Sequence, residues 1–120
     1  MKWVVEIGDE FKPEFDALPM PVRQEILVLA GVLEQFGPNL GRPHVDTLAG
    51  SRHANMKELR FDANRGVWRT AFAFDPRRHA ILLVAGDKAR GSQTRFYKTL
   101  IKKADDRFDV HLKRLKQKGK

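Results

Sequence analysis

One arginine of this 120-residue chain lies where a side chain could bind a phosphate group. Arg69 falls in the middle of a predicted strand, and its neighbours on the same face, Ala71 and Ala73, are small enough to leave room for a ligand. A guanidinium group suits phosphate because its planar fork binds two oxygens and stays charged. The alternative role for Arg69 is an ion pair with a carboxylate across the sheet.

Four other positions carry side chains suited to the same chemistry. Lys88 and Arg90 follow an apolar strand, in the kind of loop that often carries function on a rigid scaffold. Tyr97, the only tyrosine, falls near the start of the last predicted helix, and a phenol can stack on a nucleotide base and donate a proton. Arg60 shares a strand face with Glu58, so a structural Arg–Glu arrangement and a functional role are equally open for it.

Further basic residues are candidates for binding RNA rather than for chemistry. Lys57 lies on the opposite face of its strand from Arg60, so the two cannot line one site unless the strand contains a bulge. The other candidates are Arg90, Arg95, Lys98, Lys113 and Arg114. Residues 113–120 form a cationic segment that we expect to be a frayed helix end, either solvated or in nonspecific contact with phosphates.

Several kinds of site are not predicted. The chain has no cysteine, no glycine-rich phosphate-binding loop of the Walker type and no pair of carboxylates typical of a glycosidase. Its histidines lack metal-ligand spacing, and we expect them to be solvent-facing or in loops. They are His44, His53, His79 and His111. The expectation is therefore that no metal and no cofactor is needed.

Charge is distributed unevenly along the chain. Residues 1–51 contain 4 Lys/Arg and 8 Asp/Glu, whereas residues 52–120 contain 19 and 7, for a net charge of +8. A cationic half beside an anionic half favours an oriented molecule that binds a polyanion such as a nucleic acid. The alternative is a soluble basic protein with a lysine-rich end.

The elements that must position these residues follow from periodicity. Residues 2–7 alternate as a strand, and Asp9 can cap a short helix that runs to about Leu18. Pro21 suits the first turn of a second helix, which Gly37 and Pro38 end. The apolar stripe of that helix consists of Val22, Ile26, Leu29, Leu33 and Phe36. Residues 39–55 are predicted to be a loop.

Three strands and a helix complete the prediction. The strands cover residues 56–62, 67–74 and 80–85, joined by short turns into a meander, and Ser92 can cap the last helix. The order is β-α-α-β-β-β-α, which indicates a single α+β domain over residues 1–120 with helices packed on a small mixed or antiparallel sheet. No segment approaches the roughly 18 apolar residues that span a bilayer, and the early charges argue against a secretory signal, so we expect a cytoplasmic protein.

Four segments, in this order and spacing, resemble the RelE/ParE toxin superfamily, closest to its HigB-like, phage-derived branch. They are MKELR at 56–60, VWRTAF at 67–72, AILLVAGDK at 80–88 and RFYK at 95–98. The resemblance implies a RelE-like fold and the toxin of a type II toxin–antitoxin pair. Such toxins cleave mRNA, often on the ribosome, and are neutralised by a cognate antitoxin, usually a helix-turn-helix protein in the HigB branch. The toxin–antitoxin pair commonly binds its own operator DNA.

The resemblance also implies roles for individual residues. It matches Arg69 to an arginine that contacts the scissile phosphate, Tyr97 to a stacking or acid–base tyrosine, and the Lys88 loop to basic residues near the phosphate. The chain departs from RelE in one strand, where RelE has lysines and this chain has Met56 and Glu58. Two alternatives stay open: a ParE-type toxin that poisons DNA gyrase without cleavage, and an inactive module that binds nucleic acid or an antitoxin. Glu58 and the lack of an obvious histidine base support the inactive module.

Overall fold

The computed structural model describes residues 2–89 and 91–118. A one-turn 3-10 helix, Gly37–Asn39, follows the second α-helix. The main elements in chain order are β1 (Val4–Ile7), α1 (Lys12–Asp16), α2 (Met20–Phe36), β2 (Val45–Thr47), β3 (Lys57–Ala63), β4 (Gly66–Phe74), β5 (His79–Asp87) and α3 (Gln93–Lys118).

The strands form one mixed sheet in the order β1-β5-β4-β3-β2. β3, β4 and β5 are the predicted antiparallel meander, β1 lies parallel to β5, and β2 lies antiparallel to β3. The first half of β5 is buried with a strand on each side, which explains its uninterrupted apolar run. The α+β prediction, with helices packed on a small mixed sheet, is confirmed.

The two faces of the sheet bury separate cores. α1 and α2 cover the face that carries Leu59 and Phe72, and α3 covers the face that carries Ala71 and Ala73. The predicted stripe of α2 is buried at Val22, Ile26, Leu29 and Leu33. Phe36 departs from it, with 57% of its surface exposed, because the chain leaves the helix at this residue.

A tight hairpin fixes how β3 and β4 face each other. Asn64 and Arg65 both have left-handed backbone angles, with φ of 49° and 64°, the combination that a two-residue hairpin needs to match the twist of its strands. The resulting register places Arg60 directly opposite Arg69. The hairpin therefore determines which side chains of the two strands can meet under α3.

The structure corrects the sequence prediction in three segments. The predicted loop 39–55 contains β2, whose three residues are too few to show periodicity and which forms by pairing with β3. α1 begins after Phe11 and has no side-chain cap, so Asp9 does not cap it. The predicted frayed end instead continues α3 as a helix through Lys118; residues 119 and 120 lie outside the described residues.

Candidate active site

Arg69 lies on the face of β4 that α3 covers, and only 6% of its side chain is exposed. In the sheet it stands between Arg60 of β3 and Gly86 of β5. Phe96 of α3 packs against Gly86, where an added Cβ would come within 2.8 Å of the phenyl ring. The absence of a side chain at Gly86 thus lets the first turns of α3 approach the sheet next to Arg69.

α3 brings Tyr97 onto Arg69 and onto a buried carboxylate of β3. The Tyr97 hydroxyl donates to Oε1 of Glu58 at 3.0 Å and accepts a bond from Nε of Arg69 at 3.3 Å. The Nε of Arg69 also lies 3.8 Å from Glu58 Oε1, and Nη1 of Arg69 donates to the Trp68 carbonyl at 2.9 Å. We call Glu58, Arg69 and Tyr97 the buried trio.

The surroundings of the trio shift two proton affinities. Burial raises the pKa of Glu58 above its ordinary value, against the lowering effects of the Tyr97 hydrogen bond and the Arg69 charge. Burial also raises the pKa of Tyr97, and the neighbouring Glu58 adds to that rise. Tyr97 is therefore a protonated donor near neutral pH, and Glu58 is a carboxyl group with an increased affinity for a proton.

Arg60 lies at the margin of the trio. It is the cross-strand neighbour of Arg69, but its Nη1 lies 3.3 Å from Oδ2 of Asp46 in β2. Asp46 is also bound by Arg42 at 2.7 Å, which holds the pKa of Asp46 below its usual range. β2, the strand that periodicity missed, thus supplies the carboxylate that restrains Arg60.

Among the described residues, the side chains of Lys57 and Lys88 form no hydrogen bond or ion pair with the trio. Lys88 follows β5 directly, and its backbone N–H donates to the Val67 carbonyl at 2.7 Å, which places it near the strand ends that flank Arg69. Arg90 lies outside the described residues. Lys57 lies on the α2 side of the sheet, where its Nζ lies 3.4 Å from the Pro38 carbonyl.

α3 separates its candidate RNA-binding residues into two groups. Ser92 caps the helix through the N–H of Arg95, as predicted, and both Arg95 and Lys98 are exposed on the turn of α3 that carries Tyr97. At the other end Lys113 is exposed, whereas Arg114 binds Glu10 at 2.6 Å. Arg114 is therefore already neutralised by a carboxylate.

Two of the four histidines correct a further prediction: His44 and His53 lie in loops as expected, whereas His79 lies in β5 and His111 in α3. His53 contacts Asp109 at 2.8 Å, His79 contacts Glu6 at 3.1 Å and His111 contacts Asp75 at 2.9 Å. These side chains are half-buried partners of carboxylates, not solvent-facing groups, and only His44 is exposed. Within residues 2–89 and 91–118, no cluster of three or more His, Asp or Glu side chains is placed to hold a metal ion.

Sequence reasoning missed the contribution of Glu58 to this site. The alternation of β3 placed Glu58 on the same face as Arg60. It did not predict that Glu58 contacts Arg69. Glu58 pairs with Ala71 and is thus the diagonal neighbour of Arg69, a separation that long side chains bridge on one sheet face. The alternative role for Arg69, an ion pair with a carboxylate across the sheet, is therefore present in the structure with Glu58 as the partner, and a register built from the hairpin would have indicated it.

The sequence matches a model of the protein family described as "Phage derived protein Gp49-like" over residues 13–109. Two relatives from Mycobacterium tuberculosis bear the name of toxins. HigB2 is 56% identical over 82 residues, which are 68% of this chain but 40% of HigB2, so the chain spans less than half of that relative. HigB3 is 46% identical over 93 residues, which are 78% of this chain and 79% of HigB3.

Two solved structures share the fold. A mutant of the E. coli toxin RelE in the free state superposes with a TM-score of 0.61 at 10% identity, over 84% of this chain and 95% of RelE. The archaeal RelE–RelB complex from Pyrococcus horikoshii gives a TM-score of 0.54 at 18% identity, over 76% of this chain and 100% of the matched chain. In the part of the chain that the structure describes, every helix is too short or too polar to cross a membrane.

Proposed function

The chain belongs to the Gp49-like family of phage-derived proteins, and on that premise we propose that it is the toxin of a type II toxin–antitoxin pair that cleaves mRNA. The resemblance to the HigB-like branch is confirmed by the identities of 56% and 46% to HigB2 and HigB3. The RelE-like fold is consistent with this proposal. The observation that carries the nuclease activity is the buried trio, which combines a cation, a phenol and a carboxylate with a raised pKa.

Arg69 is proposed to bind the scissile phosphate. In metal-independent RNA cleavage the 2′-oxygen attacks the adjacent phosphorus, and negative charge builds up on the phosphorane oxygens. A fixed guanidinium in a partly dehydrated site stabilises that charge more than it does in water. The hydrogen bonds to Tyr97 and to the Trp68 carbonyl hold the guanidinium plane in place before substrate arrives.

Glu58 is proposed to be the base and Tyr97 the relay to it. The 2′-hydroxyl proton passes to the Tyr97 oxygen as the phenol proton moves to Glu58 across their 3.0 Å hydrogen bond. The bond between the 2′-oxygen and phosphorus forms, and the bond from phosphorus to the 5′-oxygen breaks. The 5′-oxygen takes a proton from the Lys88 ammonium, which leaves a 2′,3′-cyclic phosphate and a 5′-hydroxyl. A base is most effective when its pKa lies near the working pH, which the raised pKa of Glu58 favours.

The partners follow from the same proposal. The exposed Arg95 and Lys98, on the turn of α3 that carries Tyr97, are suited to phosphates that flank the cleaved bond, as on an mRNA in the ribosome. The structure of a RelE–RelB complex supports a cognate antitoxin as the neutralising partner. In the HigB branch that antitoxin would be a helix-turn-helix protein, through which the pair would bind operator DNA in the cytoplasm.

The test is to map mRNA 5′ ends across the transcriptome after a brief induced pulse of the protein. Wild type is compared with Arg69→Lys, Tyr97→Phe and Glu58→Gln, and with Lys116→Ala as a matched change on the exposed surface of α3. Arg69→Lys keeps a charge beside Glu58, so the fold is retained while the planar fork is lost. We expect new 5′-hydroxyl ends within translated codons for wild type and Lys116→Ala, reduced at least tenfold in the trio variants, as for loss of a general base or a fixed charge.

Each other outcome selects a different function. Growth arrest with DNA damage but no new mRNA 5′ ends would indicate a toxin of the gyrase-poisoning class. Normal growth and no new ends would indicate a module that only binds nucleic acid or an antitoxin. New ends that persist in folded Arg69→Lys protein would place the active site elsewhere.

A further inference from the structure

The second half of β5 has an open edge. β1 pairs with β5 only as far as the partners Ile7 and Leu82, whereas β5 continues to Asp87 with β4 on its other side. The next carbonyl, that of Leu83, accepts a bond from Nη1 of Arg107 at 2.8 Å. Over residues 84–87 none of the described residues forms a strand on that side. An open strand edge presents backbone donors and acceptors to another chain.

A groove runs along this edge and could hold an extended segment. Its volume is about 390 Å³, and residues 84–87 of β5 form one wall while the first half of α3 forms the other. Val84, Phe96 and Leu100 give it an apolar floor, and Thr99 adds a polar position. Phe96 lines the groove and the next residue, Tyr97, belongs to the buried trio, so the groove and the proposed active site lie on two sides of the same helical turn.

The groove is cationic at its rim. Arg95 and Lys103 line it and are exposed, and among the described residues neither has a carboxylate within ion-pair distance. Asp87 also lines the groove, but its Oδ1 accepts the N–H groups of Val67 and Ala89 at 3.0 and 2.9 Å. An occupant would therefore meet two exposed cations, of which Lys103 also acts electrostatically on Glu14, and one carboxylate that is already hydrogen-bonded.

We propose that this groove binds an extended acidic segment of a partner protein, added to the sheet beside β5 as a further strand. Backbone hydrogen bonds to residues 84–87 supply the pairing, and alternate side chains point to the apolar floor and to the cationic rim. A peptide fits better than RNA because a nucleic-acid backbone offers no N–H groups to a strand edge. That the partner is the antitoxin rests on the function proposed above; its carboxylates at Arg95 would then compete with the substrate phosphates that Arg95 binds.

The test uses the purified full chain and a short fluorescein-labelled peptide in which valine alternates with glutamate. Binding is measured by fluorescence anisotropy, and amide hydrogen exchange is followed at residues 84–87. Three further probes are a valine–lysine peptide, a valine–glutamate peptide N-methylated along one edge, and a short oligouridylate. The double variant Arg95→Glu with Lys103→Glu is compared with Lys116→Glu with Lys118→Glu, which makes the same charge change at the far end of α3.

We expect the valine–glutamate peptide to bind, to slow exchange at residues 84–87 and to lose about tenfold in affinity in the groove variant but not in the control variant. The lysine peptide should recover binding in the groove variant, and the N-methylated peptide should fail to bind. Equal losses in both double variants, or binding that survives N-methylation, would overturn strand addition. Oligouridylate binding in the groove without peptide binding would replace it with a nucleic-acid site. The peptide-binding experiment does not measure mRNA cleavage. A negative result would therefore overturn strand addition without bearing on the proposed nuclease activity, which the mapping of mRNA 5′ ends tests separately.

Discussion

At the scale of single residues, the unusual feature is a carboxylate buried with an arginine under a tyrosine. A buried ion pair contributes little to net stability because desolvation offsets the attraction, so stability alone does not explain why Glu58 is there. The raised pKa of Glu58 shows that desolvation dominates over the stabilising contacts from Tyr97 and Arg69. A carboxyl group whose ionised form is destabilised by burial is typical of sites that transfer protons.

The stability of the fold should depend on pH through Glu58. Because the folded-state pKa is raised, the favourable contribution of Glu58 is present below its ordinary value of 4.5 and is lost as the pH rises through the folded value. Glu58→Gln should therefore gain stability relative to wild type as the pH rises from 4 to 7. Urea unfolding of both proteins at the two pH values measures this. A Gln variant that loses stability relative to wild type toward neutral pH would contradict the prediction.

The pH dependence of the cleavage rate should also report the ionisation of Glu58. The proposed base acts in its ionised form, so kcat/KM on a short RNA should fall as the pH decreases through the raised pKa of Glu58, above the range of an ordinary carboxyl group. Glu58→Gln should abolish this acidic limb together with most of the activity. A limb that is unchanged in the Gln variant would assign the ionisation to another group.

At the scale of elements, the segment between β2 and β3 is attached to α3 by one buried carboxylate. Asp105 is 2% exposed, accepts the Ser51 hydroxyl and accepts the backbone N–H of Arg52 at 3.0 Å. His53 adds its contact with Asp109 one turn further along α3. This attachment positions α3 across the sheet and, with it, Tyr97 over Glu58.

Asp105→Ala should destabilise the fold by about 1–3 kcal/mol, because it leaves the Arg52 N–H without its buried acceptor. Asp106→Ala removes the neighbouring exposed carboxylate and should leave the denaturation midpoint close to that of wild type. Chemical denaturation of the two variants compares them directly. If both have the same midpoint, Asp105 does not hold the segment to the helix.

α2 contains a glycine that the fold does not require. A Cβ added at Gly31 has no atom within 4 Å, and the residue lies in the interior of the helix. Gly31→Ala should therefore stabilise the protein by about 0.5–1 kcal/mol. Gly37→Ala should do the opposite, because Gly37 has a φ of +55° and a Cβ there would meet Trp3. Thermal unfolding should shift in opposite directions for the two variants.

At the scale of the whole molecule, folding cancels part of the charge asymmetry along the chain. Arg107 binds Glu14 at 2.7 Å, Arg114 binds Glu10 at 2.6 Å and Arg77 binds Glu6 at 3.1 Å. These pairs hold the pKa values of Glu14 and Glu10 below their ordinary range, since each accepts hydrogen bonds from its arginine. The acidic first half of the chain thus neutralises selected arginines of the second half. The exposed cations Arg95 and Lys98 remain available to bind a polyanion.

RNA binding should depend on salt in a way that separates these two groups of cations. Arg95→Ala should reduce the slope of log affinity against log salt by about one, because a phosphate contact is lost. Arg114→Ala should leave the slope unchanged, because this side chain is already paired with Glu10. Titrations of a short RNA at several salt concentrations test the difference, and a reduced slope for Arg114→Ala would show that the ion pair opens on binding.

Local patterns in the sequence were enough for most of the fold. The 3.6-residue spacing from Val22 to Leu33 and the alternation around Arg69 are produced by the same burial that the structure shows, so they predict α2, β3, β4 and β5 directly. They also placed Arg60 and Lys57 on opposite faces of β3. The short β2 and the true length of α1 could not be predicted, because three paired residues or one turn of helix carry too little pattern.

The tertiary structure alone decided which of these residues meet. Glu58, Arg69 and Tyr97 lie on β3, β4 and α3, and their contact depends on the register of a hairpin and on the path of α3 past Gly86. Likewise, Arg114 was a free cation by sequence and became a neutralised one because Glu10, more than a hundred residues away, packs beside it. Periodicity in the sequence indicates which face of an element a residue lies on. Contacts between residues that are distant in sequence form only when the elements pack, and these contacts determine the pKa values and which charges are paired.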